Sequence, residues 1–199
     1  MEHKVSDVAF TASVKAVQEK RGSREHYAET DFRDRISPDI AAFVAERDSF
    51  YLATASADGQ PYIQHRGGPK GFLRVLDEHT LAFADYTGNH QYITTGNLAE
   101  NDRAYIFLMD YANRARVKIW GRAEVIADKE IIRQLMPEGY RARPLQAIVF
   151  RVTALDTNCP QHIPQKFDAA DVTGALAHLQ SKIDALEAEL ATYKAQTPL

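Results

Sequence analysis

Residues 59–123 read GQPYIQHRGGPKGFLRVLDEHTLAFADYTGNHQYITTGNLAENDRAYIFLMDYANRARVKIWGRA. Four short apolar or alternating runs lie in this stretch, Pro61–Gln64, Phe72–Leu76, Thr80–Asp85 and Ala104–Met109, and a fifth at Ala115–Ile119 closes it. Compact loops rich in Gly, Asn, Arg, Lys, Gln and Thr separate them. Short runs bounded by such loops read as β-strands. A small β-barrel with a phosphate-seeking rim has this layout.

Outward from there, Phe50–Ser56 begins the sheet, and Asp58-Gly59 is a hairpin signal because glycine accepts positive φ. Gly67–Gly71 is a loop that lets a backbone or a ligand come close. Phe72–Leu76 and Thr80–Asp85 form a hairpin, and His90–Ala99 reads as a short helix. Ala104–Met109 and Ala115–Ile126 are strands joined by a tight turn at Tyr111-Ala112-Asn113-Arg114. A helix near Asp128–Met136 stops at Pro137, and Leu145–Val152 is the last strand. On the N-terminal side, Thr11 caps a first helix and Ser37-Pro38 opens another. Arg21–Arg35 is polar and mixed in charge, and reads as a surface connection without firm structure. Near the C-terminus, Val172, Leu176, Leu179, Ile183, Leu186 and Leu190 recur at alternating steps of four and three. That is an a/d seam, for which Asp168 or Asp171 can cap the helix. So narrow a stripe favours pairing with a second copy over packing on the chain's own barrel.

Composition bounds the function. The chain has 199 residues and a net charge of −3, which gives no footprint for nucleic acid. No apolar run approaches a membrane span, and MEHKVSDVAF has no signal-peptide core. The single cysteine, Cys159, forms no internal disulfide. The expectation is a reduced, cytoplasmic protein.

No HxxxH, HExxH, P-loop, GxGxxG or GxSxG pattern occurs, so metal, nucleotide-triphosphate, Rossmann and hydrolase-elbow readings find no motif. What remains is polar residues at strand ends. Gln64, His65, Arg66 and Gly67 follow one strand, with Lys70 close behind. Asp85 ends another, and Asn89, His90 and Gln91 precede a helix whose free N–H groups suit a phosphate. Arg114, Arg116 and Lys118 alternate, which places all three on one strand face. Spacing alone leaves two readings open, an anion site or a solvated basic face.

Gly59-Gln60-Pro61-Tyr62 followed by Arg66, Phe83–Asp85 entering Gly88-Asn89-His90-Gln91, then Asn101–Ile106 (NDRAYI) and Arg116–Ala123 (RVKIWGRA) form an ordered series. Through them the chain resembles the pyridoxamine 5'-phosphate oxidase-like, FMN-binding split-barrel family. Phe10–Glu19 (FTASVKAVQE) and Asn158–Phe167 (NCPQHIPQKF) are similar to its short flavin-nucleotide-binding relatives. The resemblance implies a mainly β fold: a six-stranded antiparallel split barrel with peripheral helices and a C-terminal amphipathic helix. It implies a homodimer holding two FMN molecules in grooves between the copies. By position, Gln64, His65 and Arg66 would line the flavin and its ribityl phosphate, Asn89, His90 and Gln91 would form the phosphate loop, and Arg116 would lie near ring or phosphate. Two departures stand out. His90-Gln91 replaces the oxidases' Arg-Lys pair, so that Arg66, Lys70 or Arg114 would rebuild the clamp. The oxidase's C-terminal substrate signature is missing, since Trp120 is the only tryptophan.

The expectation is therefore a split-barrel domain over residues 1–157 and a tail with a dimer helix over 158–199. It would be an FMN-dependent oxidoreductase on an unknown substrate, without nucleic-acid or membrane partners. The alternatives are a non-catalytic flavin-binding protein, a haem- or deazaflavin-binding member of the same fold, or a dimeric scaffold with an empty groove. Beside a flavin, Cys159 would be a redox thiol or an inert small residue. His162 would be a proton donor from the partner copy or a loop histidine, and Trp120 a stacking partner or a packing residue.

Overall fold

The alternation read in Phe50–Ser56 is that of a strand with one buried face. In the computed structural model, which describes residues 4–157 and 160–196, β1 spans Ser49–Ala55 with Phe50, Leu52 and Thr54 buried. β2 (Pro61–Gly67), β3 (Arg74–Asp77), β4 (Thr80–Tyr86), β5 (Arg103–Asp110), β6 (Ala115–Ile126) and β7 (Pro144–Thr157) join it in one antiparallel sheet, ordered β2-β1-β5-β6-β7-β4-β3. The helices are α1 (Ala12–Arg21), α2 (Arg24–Ala28), α3 (Pro38–Ala45), α4 (Ile93–Glu100), α5 (Lys129–Leu135) and α6 (Ala169–Gln196). The sheet has seven strands, as many as the runs in the sequence, where the resemblance implied six. β3 falls at the expected Phe72–Leu76 run, and the Asp77 carboxylate turns it back onto β4 by accepting the His79 N–H at 2.7 Å.

The sheet curls around Leu52, Phe72, Leu81, Phe83, Ile106, Ile119, Ile148 and Phe150, all fully buried. β4 and β7 are buried on their outer face too. There Ala82, Ala84 and Ala147 are small enough for Ile132 and Leu135 of α5 to close over them. Gly121 is required by close approach. A Cβ there would lie 2.2 Å from the Arg151 carbonyl oxygen, at a register shift between β6 and β7. β7 also runs past the expected Val152 end. Beyond the irregularity, Ala154 and Leu155 are both fully buried, so the period of two that marks a strand is lost while pairing continues to Thr157.

β2 and β3 are the sheet's ends, and β2 has no ladder to β4. Instead Arg66 of β2 makes an ion pair with Asp85 of β4, and a hollow lined by His65, Arg66, Gly67, Phe72, Phe83 and Tyr86 marks the split.

Arg21–Arg35 corrects the expectation of a structureless connection. It holds α2, and its order comes from tertiary contacts. Phe32 stacks on Trp120 at 5.3 Å and meets Phe10 at a tilt at 5.3 Å, while Arg33 exchanges backbone hydrogen bonds with Leu155 of 3.1 and 2.8 Å.

The chain divides into two compact units, Met1–Asp110 with Ala115–Pro160, and Tyr111–Arg114 with Gln161–Leu199. Within the second, Gln165 donates to the Ala112 carbonyl at 2.8 Å, and the Lys166 ammonium sits 4.5 Å from the Tyr111 ring centre. α6 follows with no buried residue. Cys159 lies outside the described residues.

Candidate functional site

β2 presents Tyr62, Gln64 and Arg66 on one half-buried face and Ile63, His65 and Gly67 on the exposed one. Strand parity thus separates residues that are adjacent in sequence. His65 turns away and meets the Tyr51 ring edge-on at 5.6 Å. Gln64 and Arg66 face a cleft whose other walls are Asp85 and Tyr86 of β4, the loop Gly88–Ile93, Thr94 and Thr95 of α4, and Leu145.

The polar floor is a chain of hydrogen bonds across four elements. Arg66 pairs with one Asp85 carboxylate oxygen, and Gln146 donates to the other at 2.9 Å. Gln146 also donates to the Thr95 hydroxyl at 2.8 Å, and Thr94 donates to the Gln64 side-chain oxygen at 3.2 Å. Every link is needed, because Asp85 and Gln146 are buried and an unpaired polar group there is costly. Gln146, Thr94 and Thr95 escaped sequence reasoning. The signal for Gln146 was a lone amide inside the otherwise apolar run Leu145–Phe150.

The loop before α4 is unusual. His90 and Tyr92 have φ of 60° and 53°, a region that L-residues occupy at a cost of roughly 1–3 kcal/mol each. Local bonds hold it: Asn89 accepts the Gln91 N–H at 3.2 Å, and the His90 imidazole meets the Tyr92 hydroxyl at 2.8 Å. Tyr92 sits at the N-cap of α4 without a side-chain cap, so the helix's first N–H groups are uncapped by it. The helix starts at Ile93, later than the expected His90, because this left-handed geometry ends the loop.

Three buried side-chain atoms lack a hydrogen-bond partner among the described residues: Arg66 Nε, Tyr86 Oη and Arg116 Nε. Burial pushes the Tyr86 phenol up, with Tyr140 adding to the shift. The Tyr86 ring packs against Tyr140 at 5.3 Å.

The structure gathers Gln64, Arg66, Asp85, Asn89, His90 and Gln91 around one cleft. Gly67 stands with His65 at the neighbouring hollow. Lys70 is exposed and pairs with Glu46 at 3.6 Å. Arg116 lies on β6 on the face opposite the buried Val117 and Ile119, and does not line the cleft. Beside it Lys118 pairs with Asp156 at 2.7 Å, and Trp120 is taken up by Phe32 and Tyr105. Arg114 is not on the strand at all. It occupies the turn before β6 with φ of 52°, in the second unit, so the expected three-residue basic face reduces to Arg116 and Lys118. His162 is also in the second unit, exposed, with φ of 62°. No cluster of three metal-ligating side chains occurs, and no helix is long and apolar enough to cross a membrane, among the described residues.

A family model described as pyridoxamine 5'-phosphate oxidase matches residues 36–159. Among solved structures, HupZ of Group A Streptococcus is 18% identical, with a TM-score of 0.52 over 66% of this chain and 99% of that one. A histidine-to-alanine variant of that same protein is 19% identical, with a TM-score of 0.51 over 62% and 99%. An FMN-binding protein of Syntrophomonas wolfei is 13% identical over 74% and 95%, and its TM-score of 0.48 is too low to carry weight. These likenesses bear on the fold alone. No curated protein matches the chain in sequence.

Proposed function

Since the chain belongs to the pyridoxamine 5'-phosphate oxidase family, we propose that it binds FMN without a covalent bond in the cleft between β2, β4 and α4, and works as an oxidoreductase. The observation that carries this is Arg66. Its Nε is buried at the cleft with no acceptor, although the same guanidinium already holds Asp85. A guanidinium so placed is a donor waiting for an anionic oxygen. Asn89, Gln91 and His90 stand nearby with further polar side chains, on a loop already bent into shape. The donor set fits a phosphate held mainly by hydrogen bonds.

When bound, FMN supplies hydride or electron chemistry. The chain's own residues bind and orient it and exclude water. Gln64 is fixed by Thr94, Asp85 by Arg66 and Gln146, and Tyr62, Tyr92, Ile93 and Leu145 supply apolar walls. Pyridoxamine phosphate is not the substrate in this reading, because the B6 oxidase's substrate signature does not occur in these 199 residues and Trp120, the single tryptophan, is engaged by Phe32, Tyr105 and Lys118. A second copy completes the groove, so the working form is a homodimer.

The test is the spectrum and flavin affinity of the purified protein. The expected outcome is an isoalloxazine spectrum and FMN binding at least about tenfold tighter than riboflavin, the equivalent of one lost hydrogen bond to charge. Equal affinities would mean that the cleft does not read phosphate. A Soret band, or no uptake of FMN, would overturn the cofactor assignment.

A further inference from the structure

α6 has an apolar face that is exposed along its length. Val172, Leu176, Leu179, Ile183, Leu186, Leu190 and Tyr193 are between 44% and 66% exposed, and no residue of the helix is buried. Tyr193 extends the alternating four-and-three spacing by one further step. In heptad terms Leu176, Ile183 and Leu190 are a positions, and Val172, Leu179, Leu186 and Tyr193 are d positions. A helix this long with its apolar stripe confined to a and d is built to meet another helix along a seam.

The flanking charges identify the occupant. Lys182 and Glu189 fall at g, Glu187 and Lys194 at e. In a parallel, in-register pair, each g residue faces the following e residue of the other helix. Lys182 then faces Glu187 of the second copy, and Glu189 faces its Lys194. Symmetry doubles both, giving four attractive pairs and no repulsive one. An antiparallel pair at full overlap opposes Lys182 to Glu189, giving two. Its remaining charges, Glu187 and Lys194, meet Gln180 and Thr173. Sliding that pair by one heptad either way opposes Lys182 to itself or Glu189 to itself. Ile183 at a between Leu179 and Leu186 at d follows the two-stranded parallel preference.

We infer that α6 forms a parallel, in-register two-stranded coiled coil with α6 of a second copy of this chain, its register set by Lys182–Glu187 and Glu189–Lys194 pairs. The inference stands apart from the cofactor reading, since no residue of α6 lines the cleft.

The experiment uses the full chain with Cys159→Ser. Leu179→Cys is oxidised at low protein concentration and run without reductant. The expected result is a covalent dimer, because only the parallel register puts two d positions side by side. In the antiparallel arrangement Leu179 would sit beside Leu190, so Leu179→Cys mixed with Leu190→Cys would form the mixed dimer instead. That outcome, or no cross-link at all, overturns the proposal. Two charge variants with equal net charge give a second reading in the Leu179→Cys background. Lys182→Glu with Glu187→Lys keeps all four parallel pairs attractive and leaves the cross-link rate unchanged. Lys182→Glu with Glu189→Lys makes all four repulsive and lowers the rate at least tenfold. Equal rates in the two, or the reverse order, would refute the register.

Discussion

Arg66 and Asp85 close the open side of the barrel with side chains where no backbone ladder runs, and the strength of that closure can be measured. The side chains are 13% and 8% exposed, so water screens the pair little. Removing one member of a buried pair costs about 3–5 kcal/mol, because the other is left charged and unmatched. Arg66→Met keeps the aliphatic stem against Phe83, whose ring centre is 5.8 Å from the guanidinium carbon. Gln146 still donates to Asp85 in that variant, which places the loss near the lower end, about 3 kcal/mol. For a chain of this length that is a fall in Tm of roughly 6–12 °C. Asp85→Asn alone leaves Arg66 unpaired and loses a similar amount. The double variant Arg66→Met/Asp85→Asn removes both charges together, and its loss falls short of the sum of the two by about 2 kcal/mol. Urea unfolding of the apo protein, followed through the single tryptophan, Trp120, gives all four corners of the cycle. The coupling survives added salt, since a buried pair is screened less than an exposed one. Single losses that add to within about 0.5 kcal/mol would show instead that the two residues do not act as one closure.

Other outcomes are equally specific. Gly121→Ala places a Cβ 2.2 Å from the Arg151 carbonyl oxygen, a backbone atom, and 2.3 Å from the Phe150 ring; thermal unfolding will show a loss of about 3 kcal/mol or more, as overpacking against rigid neighbours costs. Burial, with the negative charge of Asp156, pushes the Tyr105 phenol up to about 12. The unfolded chain gives up that proton near pH 10, so between about 10 and 12 the unfolded state binds fewer protons and stability falls as pH rises. Below pH 10 the contribution is fully present, and Tyr105→Phe flattens the fall above it in unfolding curves taken across that range. Pyridoxamine phosphate with added FMN will give little or no pyridoxal phosphate in an oxidase assay; efficient turnover would show that the missing tail signature is replaced elsewhere.

Strands, most helices and the family were legible in the amino-acid order alone. Alternation in Phe50–Ser56 and Ala104–Met109, the Asp58-Gly59 turn and the Ser37-Pro38 helix start are local effects, set within a few residues of one another. The a/d seam was equally legible, because its period needs no neighbour to be seen. Gln64, Arg66, Asp85 and Asn89–Gln91 were found because they lie at or near a strand's end or precede a helix, although β2 runs past the expected Gln64 end to Gly67. The rest needed the folded chain. Strand parity sets His65 and Arg66 on opposite faces, but that Arg66 rather than His65 faces the cleft depends on which side of β2 the cleft lies. That Arg66 holds Asp85 depends on the sheet curling until β2 at one end reaches β4, the strand next to the other end, a contact 19 residues apart that no periodicity encodes. Gln146 joined the site through partners 61 and 51 residues away. Arg21–Arg35 gained its order from Trp120 and Leu155, because a polar, mixed-charge segment carries no period of its own and takes its structure from the surface it covers.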